Sequence, residues 1–563
     1  MTDGQGYYAY LPATFIYQDL QFLFVSETNE AYYQEYKRAA FIVDSESGNV
    51  NKYFAGTAVL QAPFFVAASG ASAIMGLPVD GYSKPFQLSV GLAAIFYLVL
   101  GLWFLGRLLF ELGYQCTPVL ATLVTILFAT NLFYYSIYEP SMSHVYSFFT
   151  ISAFLFYGRK ALVSRNEKAS YLAAALLGIT VLIRPVNGLV LLGLPAVAGG
   201  LFGFVSGLES IFKQKKTVVL SILIGVLIMA LQPFIYWLQT GMPFVWSYQE
   251  EGFNFLSPEF ANVLFSYRKG LFVYCPVLFL AVIGIIKGAS VRKPGKLEAG
   301  VFLLLVTWVI ASWWMWFYGG CYGHRAFIEF YPFFALGLAY AFSYGFAFLG
   351  KNLLLATIPL FIGLQMIQTY QYVINIIPFD NMNKEKYWNL FLRTGEDLSW
   401  YYSGYPGQDS YRGLDSTVAK HDFESELGWG NEDQRTEDIA YKGRFSAFMG
   451  VDKQYGITFR TTPQTVDVFP DVIRVSGWVK SASRTTDLSI VCALEDSTGA
   501  SYFWRKYPLR PQFEGRNEWS YFTSLFRCGK PKNSQDKIVV FPMRTDDSAI
   551  YFDEVEISLV KTN

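Results

Sequence analysis

Charge is scarce in this chain. Only 16% of its 563 residues are Asp, Glu, Lys or Arg, and 44 basic residues cancel 44 acidic ones. A balanced, charge-poor chain has no electrostatic footprint for a polyanion, so nucleic acid is excluded as an expected partner. Histidine is scarcer still, at His144, His324 and His421, and the five cysteines (Cys116, Cys275, Cys321, Cys492, Cys528) include no CxxC spacing. A zinc cluster is not expected, and any metal would be held mainly through oxygen. Nor does the start read as a secretory leader, since Met1 is followed at once by the polar Thr2-Asp3-Gly4-Gln5-Gly6. What is abundant is apolar: 53% hydrophobic residues, 18% aromatic, mean hydropathy +0.29. That balance excludes a plain soluble enzyme, a disordered chain and a fibre, and places most of the chain in a bilayer.

Charge-poor stretches of spanning length fall at 86–106, 117–138, 141–158, 170–184, 186–208, 217–239, 271–287, 299–317, 327–349 and 352–374, which predicts about ten spans. Lys and Arg crowd every second connection, around Arg107, Arg159 to Lys168, Lys213 to Lys216, Lys287 to Lys296 and Lys351. Positive charge stays cytoplasmic, so the other connections face outward, as do the first 85 residues and everything after Ile377. The stretch 54–77 is apolar enough to span, but Gly56, Pro63 and Gly70 favour a helix lying at or re-entering the outer interface. An outward 85-residue start then implies a first helix upstream of Met1. The division predicted is an outer first loop at 1–85, a membrane domain at 86–377, a linker at 378–414 and an exported domain at 415–563.

The tail alternates. Runs rich in Val, Ile, Phe, Tyr and Thr at 441–449, 455–461, 472–480, 487–495, 501–507, 518–526, 537–543 and 550–560 predict a β-sandwich. With Ile473-Arg474-Val475-Ser476-Gly477-Trp478-Val479, Trp519 and Ile550 to Ile557 it resembles the jelly-roll of carbohydrate-binding modules. The resemblance implies a glycan ligand, with Trp504 either stacking on a sugar or packing in the core. It also implies a structural calcium at Asp422, Glu424 and Asp553, unless these are solvated strand ends. Cys492 and Cys528 lie in this exported domain, where an oxidising environment allows them to pair.

On a chain whose spans are nearly uncharged, polar residues gathered on one face mark the working side. The outer face collects Asp3, Asp19, Glu27, Lys37, Arg38 and Lys52, then Glu139, His144, Arg184, Glu250, Glu251, Arg268 and Lys269, and finally His324, Arg325 and Glu329. Carboxylates beside cations suit transfer of a sugar from a lipid phosphate: a base removes the acceptor proton and cations stabilise the departing phosphate.

Four motifs carry a resemblance over residues 1–377: Asp3-Gly4-Gln5-Gly6-Tyr7-Tyr8; Asn51-Lys52-Tyr53-Phe54-Ala55-Gly56 with Ala62-Pro63-Phe64; Ile183-Arg184-Pro185-Val186-Asn187; and Trp314-Met315-Trp316-Phe317-Tyr318-Gly319-Gly320. Together they resemble the polytopic GT-C glycosyltransferases, which include protein O-mannosyltransferases and aminoarabinose transferases. The resemblance implies an inverting transfer from a polyprenyl-phosphate sugar to an extracytoplasmic protein, lipid or glycan acceptor, at a bacterial inner membrane.

It places the catalytic carboxylate in the first outer loop, a position only Asp3 matches, as general base or as ligand of a divalent cation. Gly4 breaks the paired-acid pattern, leaving Glu250 or Glu251 as second acid. Lys52 stands where aminoarabinose transferases carry a phosphate-contacting lysine, although Tyr53-Phe54 replaces their prolines.

Arg268, Lys269, Arg184 and Arg325 are further phosphate candidates, against membrane anchoring, structural pairing or turn closure. His324, His144 and Glu139 are candidates for the acceptor side. The rival classes are a lipid or glycan transporter, which would carry mid-membrane charge and repeated halves, and a scaffold whose sandwich captures glycans.

Overall fold

The computed structural model describes residues 2–26, 28, 40–45, 48–346, 350–374, 376–380, 382–394, 414–424, 429–450, 452–462, 472–481, 488–509, 518–526, 532–533, 535–544 and 549–561. Glu27, Lys37, Arg38 and Cys528 lie outside them. The chain divides into a helical unit, Met1–Tyr370 with Phe379–Trp388, and a β unit, Gln371–Pro378 with Asn389–Asn563. The helix Lys384–Leu390 sets Tyr387 and Trp388 against Tyr267, so the start of the expected linker belongs to the helical unit.

All ten apolar blocks form helices, but the expected ten spans are not ten straight crossings. Among the described residues, five helices are long and apolar enough to cross a membrane: Gly56–Ile74, Lys84–Glu111, Lys215–Thr240, Arg325–Tyr344 and Lys351–Val373. A sixth results if Pro185–Ala196 and Gly200–Phe212, bent by 104°, count as one. Local chemistry explains most of the shortfall. Pro185 and Pro195 remove two helical donors, and the stretch between them winds as a 3-10 helix. Gly199 and Gly200 then take φ of 89° and 86°, a left-handed geometry that turns the chain. Pro276 separates Leu271–Tyr274 from Val277–Ser290, and the predicted span at 117–138 breaks before Asn131. Glu167–Ile183 and Lys296–Ala311 have 17 and 16 residues, about 25 Å at 1.5 Å per residue against a hydrocarbon layer of about 30 Å.

The N-terminal segment is built rather than loose. Asp3 sits in the first turn of the helix Thr2–Phe15. Glycine is required there by close approach: a Cβ on Gly4 would stand 2.1 Å from Ser141 Oγ, and one on Gly6 2.5 Å from the Tyr53 ring. A hairpin of β1 (Ile42–Ser45) and β2 (Gly48–Asn51) follows, and Asn51 donates to the Gly6 carbonyl at 2.7 Å. The 54–77 stretch forms one continuous helix, Gly56–Ile74, with no re-entrant break. It meets the half of Lys84–Glu111 remote from Glu111, through Tyr97 Oη to the Leu60 carbonyl (2.9 Å) and Phe65 on Phe86 (4.9 Å). A Cβ on Gly56 would lie 2.3 Å from Ile183 N, and this contact brings Lys52–Phe54 beside Arg184.

The tail is a two-sheet antiparallel sandwich. One sheet runs β10 (Ser520–Phe526), β7 (Val472–Ser481), β12 (Ile550–Lys561), β5 (Ser446–Met449), β4 (Arg435–Thr436), with β3 (Leu414–His421) also on β12. The other runs β6 (Phe459–Thr461), β11 (Lys537–Arg544), β8 (Leu488–Glu495), β9 (Ser501–Pro508). Ile473, Val475 and Val479 share the core with Ile490, Cys492 and Leu494, as the period-two pattern requires. Trp504 is exposed. Tyr441 stacks on Trp478 at 3.9 Å, with Tyr521 edge-on to Trp478.

Candidate active site

A cavity of about 310 Å³ opens where the N-terminal helix, the 52–54 turn, the 184–187 corner, the 245–253 loop and the 313–326 segment meet. Asp3, Lys52, His144, Arg184, Glu251 and Arg325 all line it. These residues lie up to 322 positions apart, yet they belong to the outward set read from loop charge.

Asp3 is held at both oxygens. Arg325 Nη2 donates to Oδ2 at 2.8 Å and the Tyr53 hydroxyl donates to Oδ1 at 2.6 Å. Burial works to raise the Asp3 pKa, but the Arg325 guanidinium, the Tyr53 hydrogen bond and Lys52 outweigh it, and the net shift is downward. Tyr53 moves the other way: burial, then the Asp3 charge, pushes its hydroxyl far up, so it stays a proton donor. Tyr53 is itself fixed by its N–H on Asn51 Oδ1 (2.9 Å) and its carbonyl on the Tyr10 hydroxyl (2.7 Å).

Lys52 Nζ reaches Glu251 Oε1 at 2.5 Å and lies over the Tyr248 ring. Arg184 caps the helix Glu167–Ile183 in the extended conformation that a following proline imposes. Its Nη1 donates to Glu329 Oε1 at 2.7 Å, and the same oxygen lies 3.0 Å from His144 Nδ1. Glu329 is wholly buried. Tyr318, on the cavity wall, holds φ at 55°, a left-handed geometry that non-glycine residues adopt at a cost and that clusters at working sites.

Five other candidates do not line the cavity. Arg268 makes a bidentate pair with Asp380 (2.8 and 2.9 Å) and stacks on Phe317. Lys269 is buried and donates to the carbonyls of Cys321 and Phe379, and burial lowers its pKa. Glu139 accepts from the Tyr134 hydroxyl at 2.8 Å, and burial raises its pKa. His324 lies 3.1 Å from the Trp316 carbonyl, its pKa pushed by burial to about 3. Glu250 is exposed and is not part of the wall. The sequence singles out no role for Tyr7, Tyr53 or Tyr248, because tyrosines are too common here, 39 in all, to stand out, and Tyr318 reads from the sequence as part of an interfacial aromatic belt.

Asp3, the expected ligand of a divalent cation, has one oxygen on the Tyr53 hydroxyl and the other on the Arg325 guanidinium. Among the described residues no three His, Cys, Asp or Glu side chains converge as a metal site. In the tail, Asp422 Oδ1 caps the Glu424 amide, Glu424 Oε1 accepts from the amides of Arg444 and Phe445, and Asp553 accepts from those of Tyr441, Lys442 and Glu554. Each carboxylate marked for calcium thus accepts from at least one backbone amide.

A second cavity of about 430 Å³ shares Phe54, Val245 and Trp246 with the first and is otherwise lined largely by apolar groups, among them Val181, Leu182, Met229, Pro233 and Phe244.

No family model and no curated protein matches the chain. Among solved structures, the cryo-EM structure of arabinosyltransferase EmbB from Mycobacterium smegmatis is similar over 91% of this chain and 60% of its own length, at 11% identity and TM-score 0.34. The CBM22-1 xylan-binding domain of Paenibacillus barcinonensis Xyn10C is similar over 27% of this chain and all of its own, at 19% identity and TM-score 0.20. A family 16 carbohydrate binding module-2 covers 23% of this chain, at 15% identity and TM-score 0.16. Likeness at these values says nothing about substrate.

Proposed function

We propose that the chain is an inverting glycosyltransferase of the GT-C kind, which moves a sugar from a polyprenyl-phosphate donor to an acceptor on the outer side of a bacterial inner membrane. One observation carries the reading: the carboxylate of Asp3 and three cations, Lys52, Arg184 and Arg325, line one cavity, and that cavity adjoins a largely apolar groove. A polyprenyl-phosphate sugar has the matching order of parts. The prenyl chain takes the groove past Phe54 and Trp246, the phosphate meets Lys52 and Arg184, and the sugar lies against Asp3.

The chemistry follows from charge. As the bond from the anomeric carbon to the phosphate oxygen lengthens, positive charge grows on the sugar and negative charge on the phosphate. Asp3 stabilises the first and the cations the second, in a site whose dipoles are already oriented. Arg325 serves both ends, since it pairs with Asp3 now and is placed to turn toward phosphate oxygens when these enter. The tail would bind glycan or acceptor, with Tyr441 and Trp478 as its stacking face.

The test is transfer by purified protein in nanodiscs. Undecaprenyl-phosphate sugars should yield undecaprenyl phosphate and a product of inverted anomeric configuration, and Asp3→Asn should yield neither. ATP-independent movement of intact lipid-linked sugar across liposomes, without turnover, would favour the transporter instead.

A further inference from the structure

The proposed transfer needs a group to accept the acceptor's hydroxyl proton, and Asp3 is poorly placed for it. Both its oxygens already accept hydrogen bonds from Tyr53 and Arg325, and a carboxylate so stabilised in its charged form is a weak base. Another group on the same wall has the opposite arrangement.

His144 opens the helix Ser143–Val163 and lines the cavity, although only 2% of it is exposed. Its Nδ1 lies 3.0 Å from Glu329 Oε1. Glu329 is kept charged by Arg184, whose Nη1 donates to the same oxygen at 2.7 Å. A charged carboxylate oxygen accepts, so Nδ1 carries the proton and Nε2 carries the lone pair. Among the described residues Nε2 has no hydrogen-bond partner, and it is not among the buried atoms left unsatisfied. The Tyr135 ring stands edge-on at 5.0 Å, and besides Glu329 the charges of Arg184 and Arg325 act on the imidazole. An imidazole oriented at one nitrogen by a buried carboxylate, with the other nitrogen on a substrate-sized cavity, is the arrangement of a general base.

We infer that His144 is the base of the transfer and Glu329 its positioning residue, an assignment that rests on the transferase reading above. The acceptor oxygen bonds to the anomeric carbon as the carbon–oxygen bond to phosphate breaks. The phosphate leaves with the bonding pair, and the hydroxyl proton passes to Nε2. The resulting imidazolium is stabilised by Glu329. Asp3 keeps its charge throughout and faces the sugar.

The test uses the full-length protein in nanodiscs with undecaprenyl-phosphate glucose, mannose and arabinose, following kcat/KM from pH 5 to 9. Wild type should lose activity on the acid side as Nε2 protonates. His144→Gln should be at least 100-fold slower with that acid limb gone. Glu329→Gln should keep the limb but shift it to lower pH, because loss of the carboxylate charge makes the imidazolium harder to form. Imidazole should restore His144→Ala at least tenfold, following the concentration of its free base. Retention of the wild-type limb by His144→Gln, or an unshifted limb in Glu329→Gln, would overturn the assignment. A wild-type protein silent on all three donors would overturn the transferase reading and this inference together.

Discussion

Arg325 and Asp3, 322 positions apart in the chain, form an ion pair at 2.8 Å inside the cavity. The pair joins the first helix of the chain to the segment after the aromatic run at 313–318. A phosphate entering beside Arg325 competes for that guanidinium, so donor binding and the state of Asp3 are coupled. Arg325→Lys keeps the charge but loses the planar fork. It should raise KM for the donor about tenfold or more while the fold is kept, as steady-state kinetics would read. An unchanged KM would remove Arg325 from phosphate binding.

Tyr53→Phe deletes one hydrogen bond to Asp3 and leaves the aromatic ring against Tyr7. Hydrogen bonds to charged groups contribute about 1.5–3 kcal/mol. If the hydroxyl fixes Asp3 in the transition state, kcat should fall by about tenfold or more with KM little changed. A rise in KM at constant kcat would place Tyr53 in ground-state binding.

The Asp3 shift carries a pH signature. Its folded pKa lies below the ordinary aspartate value, net of burial, because Arg325 and Tyr53 favour the charged form. A depressed carboxylate stabilises the fold above its unfolded pKa, about 3.9, and that contribution is lost as pH falls through the folded value. Asp3→Asn should therefore unfold at lower temperature than wild type at pH 6 to 7, and the gap should begin to narrow below about pH 4 and close as pH falls through the folded value. Thermal unfolding in detergent across that range checks it; the absence of a gap at pH 6 to 7, or a gap that widens as pH falls below 4, contradicts the shift.

Much of this was legible in the sequence, for identifiable reasons. The strands at 472–480 and 550–560 could be read because period-two alternation in a sandwich is a local signal, whereas β3 and β4 were missed because they are short or polar. The helices were legible as apolar blocks, but their breaks were not. Pro185, Pro276 and the Gly199-Gly200 pair do not by composition say whether a span bends or stops. Loop charge gathered Lys52, Arg184 and Arg325 on one face, yet it gathered Arg268 and Lys269 with them. A cation at a membrane edge reads the same whether it meets phosphate or, like Lys269, two backbone carbonyls. Glu329 sat in an apolar run with its partner Arg184 145 positions away, a pairing only the folded chain displays.

The apolar groove makes its own prediction. Leu182 lines it and does not line the charged cavity. Leu182→Trp should raise KM for a long-chain undecaprenyl donor several-fold and leave that for a two-isoprene donor unchanged. Equal effects on both chain lengths would move the prenyl chain elsewhere.

The most direct measurement is mass spectrometry of polyprenyl-phosphate lipids from cells carrying wild type or Asp3→Asn at equal protein level. Accumulation of one polyprenyl-phosphate sugar in the variant is the predicted result and would identify the donor. Identical lipid pools, with the variant folded and present in the membrane, would contradict Asp3 as the catalytic carboxylate of a polyprenyl-phosphate-dependent transferase.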